Sequence, residues 1–323
     1  MSRKSKPDFL NQSSISEAFK FIPLTVLLVG TIIFLSIYTE GFLTVGNLLN
    51  VLRQISYGTI LALGLGMIVL TGGIDLSLGN IAALVGIVCA SSLAAGVNTY
   101  LALLYGLAVG VSCGFVNGTM VSYVGIPPFI MTLAMMFVTQ GATFLWTSGY
   151  PIYEGFTPQF LFLGVGYILG IPTPVIILLI CFVVGYLFIS RTSYGRYIYA
   201  LGNDEEALRA CGVNIRVIKM LPYVIAGFFA SLTGIVMTAR MQSGQPSAAG
   251  LTMILTALTA VVLGGFNLAG GEGSLIGILM GALLVGILNN GLVILGFGTF
   301  HQLVIIGLIL MLALSWNVVR VKR

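Results

Sequence analysis

The sequence predicts an all-α, polytopic membrane protein with about ten transmembrane helices in two related halves, broken by glycine-rich segments. Three observations carry that prediction. Hydrophobic residues make up 58% of the 323 and charged residues 7%, whereas a soluble domain carries about 25% charged residues. Between Val51 and Ser190 the only acids and bases are Arg53, Asp75 and Glu154, so no soluble domain fits there. One glycine-dense pattern also occurs twice: Gly72-Gly73-Ile74-Asp75-Leu76-Ser77 aligns with Gly264-Gly265-Phe266-Asn267-Leu268-Ala269. Downstream of each, Gly114-Phe115-Val116-Asn117-Gly118 corresponds, with one inserted residue, to Gly286-Ile287-Leu288-Asn289-Asn290-Gly291. The chain reads as a duplication.

Residues 1–20 are polar and basic and read as a cytoplasmic tail. The apolar run that follows lacks a small-residue cleavage site, which makes it a retained first span rather than a signal peptide. A ruler of about 20 apolar residues per span places spans at 21–38, 57–71, 78–95, 99–124, 127–147, 172–190, 219–241, 250–265, 273–295 and 300–319. A single transmembrane domain is thus expected at 21–319, with halves 21–190 and 219–319, a cytoplasmic loop 191–218, and a cytoplasmic tail 320–323. Two readings stand for Phe42 to Ser56: a short amphipathic helix at the outer interface, or the polar start of the second span.

Gly106, Gly110, Gly114 and Gly118 recur every four residues, and Gly273, Gly277 and Gly281 do the same later. Such rows let helices approach backbone to backbone in lipid, so they are read as packing devices. Prolines 127, 128, 151, 158, 172 and 174 start helices and fix turns. Residues 148–171, with Glu154, form an outer segment that is either a surface for an extracytoplasmic partner or a plain connector.

The net charge of +5 comes from basic residues gathered at the two termini and in the central loop: Arg191, Arg196, Arg209, Arg216 and Lys219. That distribution marks cytoplasmic segments, and no nucleic-acid partner is expected. The four cysteines lack ligand-like spacing, so neither a disulfide nor a metal is expected.

An irregular turn at membrane depth survives only where protein or a water-filled cavity surrounds it. The breaks around Gly72, Gly73 and Asp75 and around Gly264 and Gly265 therefore belong inside the bundle, near a path for something polar. Candidates along that path are Asn47, Asn50, Gln54, Asn117, Phe266, Asn267, Asn289 and Asn290. Each has two readings, contact with a substrate or hydrogen bonding between spans. Asp75 and Glu272 likewise read either as helix caps or as intramembrane carriers. Arg240 reads as a side chain that snorkels to, or anchors at, the outer surface.

The loop Ser190 to Lys219 differs from everything around it. Asn203 is suited to cap a helix, Glu206 to reach back to that cap, and Asp204 and Glu205 to meet the positive end of the helix dipole. Gly212 suits a left-handed stop. The expected helix, Asp204 to Cys211, is too short to stand alone, with Ala207, Leu208 and Cys211 as its apolar contacts and Glu205 paired with Arg209. Either a partner holds it or the loop is a solvated connector.

These residues resemble the permease subunit of ribose-type ABC sugar importers, a group that includes branched-chain amino-acid permeases at greater distance. The resemblance covers nearly all of the chain after residue 42 and is carried by Gly72 to Gly79, Tyr199 to Gly212, and Leu263-Gly264-Gly265 through Leu288-Asn289-Asn290-Gly291. The chain departs from the family at Cys211 and Glu272. The resemblance implies one half of a transmembrane dimer, paired with a second copy or a paralogue in the inner membrane of a bacterium. It also implies an ABC ATPase subunit and an extracytoplasmic sugar-binding protein as partners. On this reading Asn203, Asp204, Glu205, Glu206, Ala207, Leu208, Arg209 and Gly212 form the ATPase coupling helix.

The sequence holds no phosphate-binding Gly-x-x-x-x-Gly-Lys-Ser/Thr loop, so ATP and Mg belong to the partner and no cofactor is expected in this chain. No catalytic residue is expected either, since acids and bases are too few and too scattered. The alternative reading is an ion-coupled secondary transporter using Asp75 or Glu272.

Overall fold

The computed structural model describes residues 21–321; residues 1–20 of the N-terminal tail and the last two residues of the 320–323 tail lie outside the described residues. Thirteen α-helices account for nearly all of it. The first four are α1 (Ile22–Tyr38), α2 (Val45–Val69), α3 (Leu78–Ala94) and α4 (Thr99–Thr119), and α4 runs on into a π turn, Met120–Val124. Next come α5 (Pro128–Thr147), the short α6 (Pro158–Val165), a two-stranded hairpin of β1 (Tyr167–Ile168) and β2 (Ile171–Pro172), and α7 (Thr173–Arg191). The loop holds α8 (Ser193–Asn203) and α9 (Glu205–Ala210). The chain ends with α10 (Ile215–Met241), α11 (Gly250–Leu263), α12 (Leu275–Ile294) and α13 (Thr299–Val321). Six of these helices are long and apolar enough to cross a membrane, and α1, α3 and α11 are shorter apolar helices.

The stretch Phe42 to Ser56 is the start of the second span, not a separate interfacial helix. Thr44 accepts a hydrogen bond from the Asn47 amide at 3.4 Å and caps α2, which then runs unbroken for 25 residues. Nothing between Val45 and Val69 forces a stop, because no proline occurs there and the glycines are tolerated inside a buried helix. The segment 148–171, expected on the outer side, has secondary structure of its own. It folds into α6 and the hairpin, with Ile152 and Gly244 paired as an isolated bridge and the Arg53 guanidinium 4.5 Å from the Tyr167 ring.

α10 is the central post of the bundle, buried almost continuously from Ala226 to Ala239. The glycine row of α4 lies directly on it: a Cβ at Gly110 would overlap the Ser231 hydroxyl, and one at Gly114 would overlap the Tyr223 carbonyl and stand 3.1 Å from the Gly227 Cα. The second row packs in the same way, with Gly277 against Gly264 and Gly281 against the Ala260 carbonyl. Backbone cannot move aside as a side chain can. Gly114→Val should therefore cost on the order of 1–3 kcal/mol or more, read as loss of monodisperse protein and a lowered unfolding temperature in detergent. Unchanged stability would refute the packing role.

The two breaks lie side by side. α2 and α11 both run into them, α3 and α12 both leave, and the Gly271 amide donates to the Leu70 carbonyl at 2.9 Å. Gly72, at φ 76°, takes a turn that a residue with a side chain adopts only under strain, and its missing Cβ leaves room for the Ala269 carbonyl at 3.0 Å.

Candidate translocation cavity and docking loop

A cavity of about 460 Å³ lies in the half of the bundle away from the loop, between α2, α10, α11 and α12. Gln54 and Tyr57 reach it from α2, Arg240 from the end of α10, Thr252 and Thr256 from α11, and Asn289 from α12. Methionines 237, 241 and 253 and several alanines complete the wall. On the loop side the chain is closed. Ile60 to Leu70 are all buried, and Phe266, fully buried, fills the space beside Gly66.

Arg240 is no surface anchor. It borders the cavity, its guanidinium lies 5.6 Å from the Tyr57 ring centroid, and its Nη1 is buried with no hydrogen-bond partner. Gly164 of α6 packs against the backbone at Arg240 and fixes that end of α10. Asn289 Oδ1 is likewise buried and unpartnered. An unsatisfied buried donor or acceptor costs about 1–3 kcal/mol. Sequence reasoning missed Tyr57 and gave Arg240 only a surface role; a lone guanidinium in an apolar half was the available signal.

Of the eight path candidates, the cavity takes in Gln54 and Asn289. Asn50 is exposed one turn before Gln54 on the same helix face. Asn47 and Asn290 are occupied with each other, each amide nitrogen donating to the other's oxygen at 2.9 Å, which joins the start of α2 to α12. Phe266 belongs to the core, and Asn267 accepts from the Ala269 amide at 3.0 Å within the break.

Asn117 is part of a separate buried network. Asp75 Oδ1 accepts from the Ser77 amide at 2.7 Å and its hydroxyl at 2.6 Å, while the Asn117 amide nitrogen donates to Asp75 Oδ2 at 3.2 Å and to the Ser77 hydroxyl at 3.0 Å. The carboxylate thus pins the first break to α4 and closes the turn into α3. Glu272 is exposed beside the second break, and its backbone carbonyl accepts from the Asn267 amide at 3.0 Å. Neither acid borders the cavity.

The loop folds as two helices rather than one. Asp204, not Asn203, caps α9, accepting from the Ala207 amide at 2.9 Å. The box expected between Asn203 and Glu206 therefore does not form. Asn203 is instead the last residue of α8 and donates back to the Tyr199 carbonyl at 2.9 Å. Leu208 alone anchors α9 in the core, while Glu206, Ala207 and Cys211 are exposed. Glu205 binds Arg209 at 2.9 Å and Lys219 at 2.8 Å, tying α9 to α10. The Lys219 hydrogen bond foremost, with help from Arg209, holds the Glu205 carboxyl below its usual range. Gly212, at φ 76°, ends the unit as a left-handed stop.

α8 is bolted to both breaks. Gly202 lies flush against the Leu70 carbonyl and the Gly270–Gly271 backbone, with no room for a Cβ. The Tyr199 hydroxyl donates to the Gly273 carbonyl at 2.8 Å, and the Asn203 amide donates to the Gly271 carbonyl at 3.4 Å. α8 therefore rests directly on the ends of α2 and α11, two walls of the cavity.

The family described as branched-chain amino acid transport system / permease component matches residues 47–314. The ribose import permease protein of Escherichia coli (strain K12) is 41% identical over 308 residues, 94% of each chain. That of Bacillus subtilis (strain 168) is 40% identical over 283 residues, covering 87% of this chain and 88% of its own. The D-allose transport system permease protein of Escherichia coli (strain K12) is 34% identical over 297 residues, covering 92% and 90%. No solved structure matches the chain significantly. The chain belongs to the branched-chain amino acid transport system / permease component family.

Proposed function

We propose that the chain is the membrane-spanning permease subunit of a sugar importer of the ABC type, powered by ATP hydrolysis on a separate subunit. The near relatives are named for ribose and D-allose, which favours a pentose or hexose as cargo. The observation that carries the reading is the loop: a capped, ion-paired helix exposed at one end of the bundle and locked through α8 to both glycine breaks. Its basic residues favour a cytoplasmic position for that end, with both chain termini on the same side. The cavity then faces the outside, where a sugar-binding protein delivers its cargo over the outer segment, and a second permease copy or paralogue completes the pathway.

In this scheme the ATPase grips the exposed face of α9, with Glu206, Arg209 and their neighbours, while Leu208 and the Glu205–Lys219 pair keep the helix seated. Closure of the ATPase displaces α9 and α8 together. The breaks then shift, and α2 and α11 rock between outward and inward access. ATP and Mg stay on the partner throughout.

Co-purification tests the scheme. The full chain, expressed with the products of its neighbouring genes, is expected to bring down an ATPase, and Glu206→Lys with Arg209→Glu should abolish that capture while leaving the permease folded. Recovery of the chain with no nucleotide-binding partner would overturn the assignment.

A further inference from the structure

The geometry points to a binding site for the phosphate of an anionic phospholipid, in the basic cleft between the docking loop and the end of α4. The site depends only on the bundle spanning a membrane. It stands apart from the cargo, the cavity and the ATPase.

The cleft, of about 450 Å³, is walled by Tyr123 of the π turn after α4, by Glu205 and Arg209 of α9, and by Arg216 and Lys219 of α10. Three cations thus face one carboxylate. Glu205 is shared between two of them, Arg209 at 2.9 Å and Lys219 at 2.8 Å. Arg216 forms no ion pair among the described residues, and its guanidinium lies 5.8 Å from the Tyr123 ring centroid. A guanidinium carries five N–H donors and an ammonium three, so all three cations have donors to spare. A phosphate diester supplies the missing charge, and its oxygens match the paired N–H groups of a guanidinium.

The surface beside the cleft makes the ligand a lipid rather than a free anion. Tyr123, Val124, Phe129 and Ile130 are all exposed, and they carry an apolar strip from the cleft along the adjoining ends of α4 and α5. Both helices are long and apolar enough to cross a membrane, and most of their residues are unburied. The cleft therefore sits where these helices leave the hydrocarbon, at the level of the headgroups, the place where basic pockets beside spans hold acidic lipids. An amphiphile with a phosphate head fits both the cations and the strip; inorganic phosphate fits only the cations. The bound phosphate would bridge α9 to α10 and hold the loop to the membrane surface.

Two other roles fit less well. Basic residues that only set topology need no common focus, yet these three, from two helices, converge on one cleft, while Arg191 and Arg196 of the same loop lie outside it. An acidic segment of a partner protein would match the charge but not the apolar strip that continues from it.

The test uses the full chain without an ATPase, in nanodiscs holding equal amounts of phosphatidylglycerol and phosphatidylcholine. The protein is released into detergent, and native mass spectrometry reads the lipids it retains. The parent chain should keep phosphatidylglycerol in preference to phosphatidylcholine. Arg216→Gln should lower that preference roughly fivefold, and Arg216→Lys should keep part of it. Arg196→Gln removes the same charge from the same loop outside the cleft and should behave as the parent does. Arg216 and Arg196 are both exposed, so both glutamine variants are expected to fold. Inorganic phosphate should raise the unfolding temperature far less than phosphatidylglycerol does. No preference in the parent, equal losses in the two glutamine variants, or phosphate that stabilises as well as the lipid overturns the site. So does loss of ATPase capture by Arg216→Gln with its lipid preference unchanged, which would give the cleft to the partner protein.

Discussion

Gly202→Ala is expected to uncouple ATP hydrolysis from uptake. The added methyl would overlap the Leu70 carbonyl and meet the Gly271 amide and Gly270 carbonyl carbon. All three are backbone atoms, so neither α8 nor the breaks can give way by turning a side chain. Overpacking of this kind costs about 1–3 kcal/mol, and here it is relieved by lifting α8 off the junction. The ATPase should still bind α9 and hydrolyse ATP, while uptake in proteoliposomes falls by roughly an order of magnitude or more.

Gly212→Ala is the matched control. It sits at φ 76° with no atom within 4 Å of its would-be Cβ, so its cost is a local one of about 1–2 kcal/mol at the end of α9. Coupling should survive it. If Gly202→Ala transports normally, or if both variants lose coupling alike, the route through α8 is wrong.

The spans were legible because lipid imposes a simple rule: an apolar run of fixed length must be helical. The ten spans expected from that rule all have helical counterparts. What the rule left out is where helices continue past their apolar part. Phe42 to Ser56 carries Asn47, Asn50 and Arg53, which lower its hydropathy, yet a helix passes through it because Thr44 caps the start and nothing interrupts. Ser193 to Asn203 was hidden for the same reason, being an amphipathic helix on the bundle surface that a hydropathy ruler treats as loop.

The cap at α9 shows a finer limit. Asn203 and Asp204 are both good capping residues. Which one acts depends on Asn203 being engaged by Tyr199 and Gly271, contacts set by tertiary packing. The cavity was the least legible part. Gln54, Tyr57, Arg240 and Asn289 come from three helices far apart in sequence, and no local pattern brings them together. The glycine breaks were readable as a location because they cost too much to be incidental, but reading them did not reveal that α8 seals onto both.

Asp75 is expected to separate a structural acid from an ion carrier. Asp75→Leu would leave the Ser77 amide and the Ser77 hydroxyl without their acceptor in a fully buried site, and would take from the Asn117 amide one of its two acceptors. At about 1–3 kcal/mol for each unsatisfied group, the loss is a large share of the stability of a typical domain, about 5–15 kcal/mol. Little folded protein should be recovered from membranes. Asp75→Asn differs in kind. Its amide oxygen can still receive both Ser77 donors, and its nitrogen can donate to Asn117 Oδ1, which has no partner in the native network, if the Asn117 amide turns over. That variant should fold with reduced thermal stability and retain ATP-driven uptake. A carrier of protons or other cations predicts the reverse pattern, with Asp75→Asn well folded and transport abolished. Stability and uptake measured on the same preparation decide between them, and uptake lost from a fully stable Asp75→Asn protein would favour ion coupling through the carboxylate over the ATP-driven scheme proposed above.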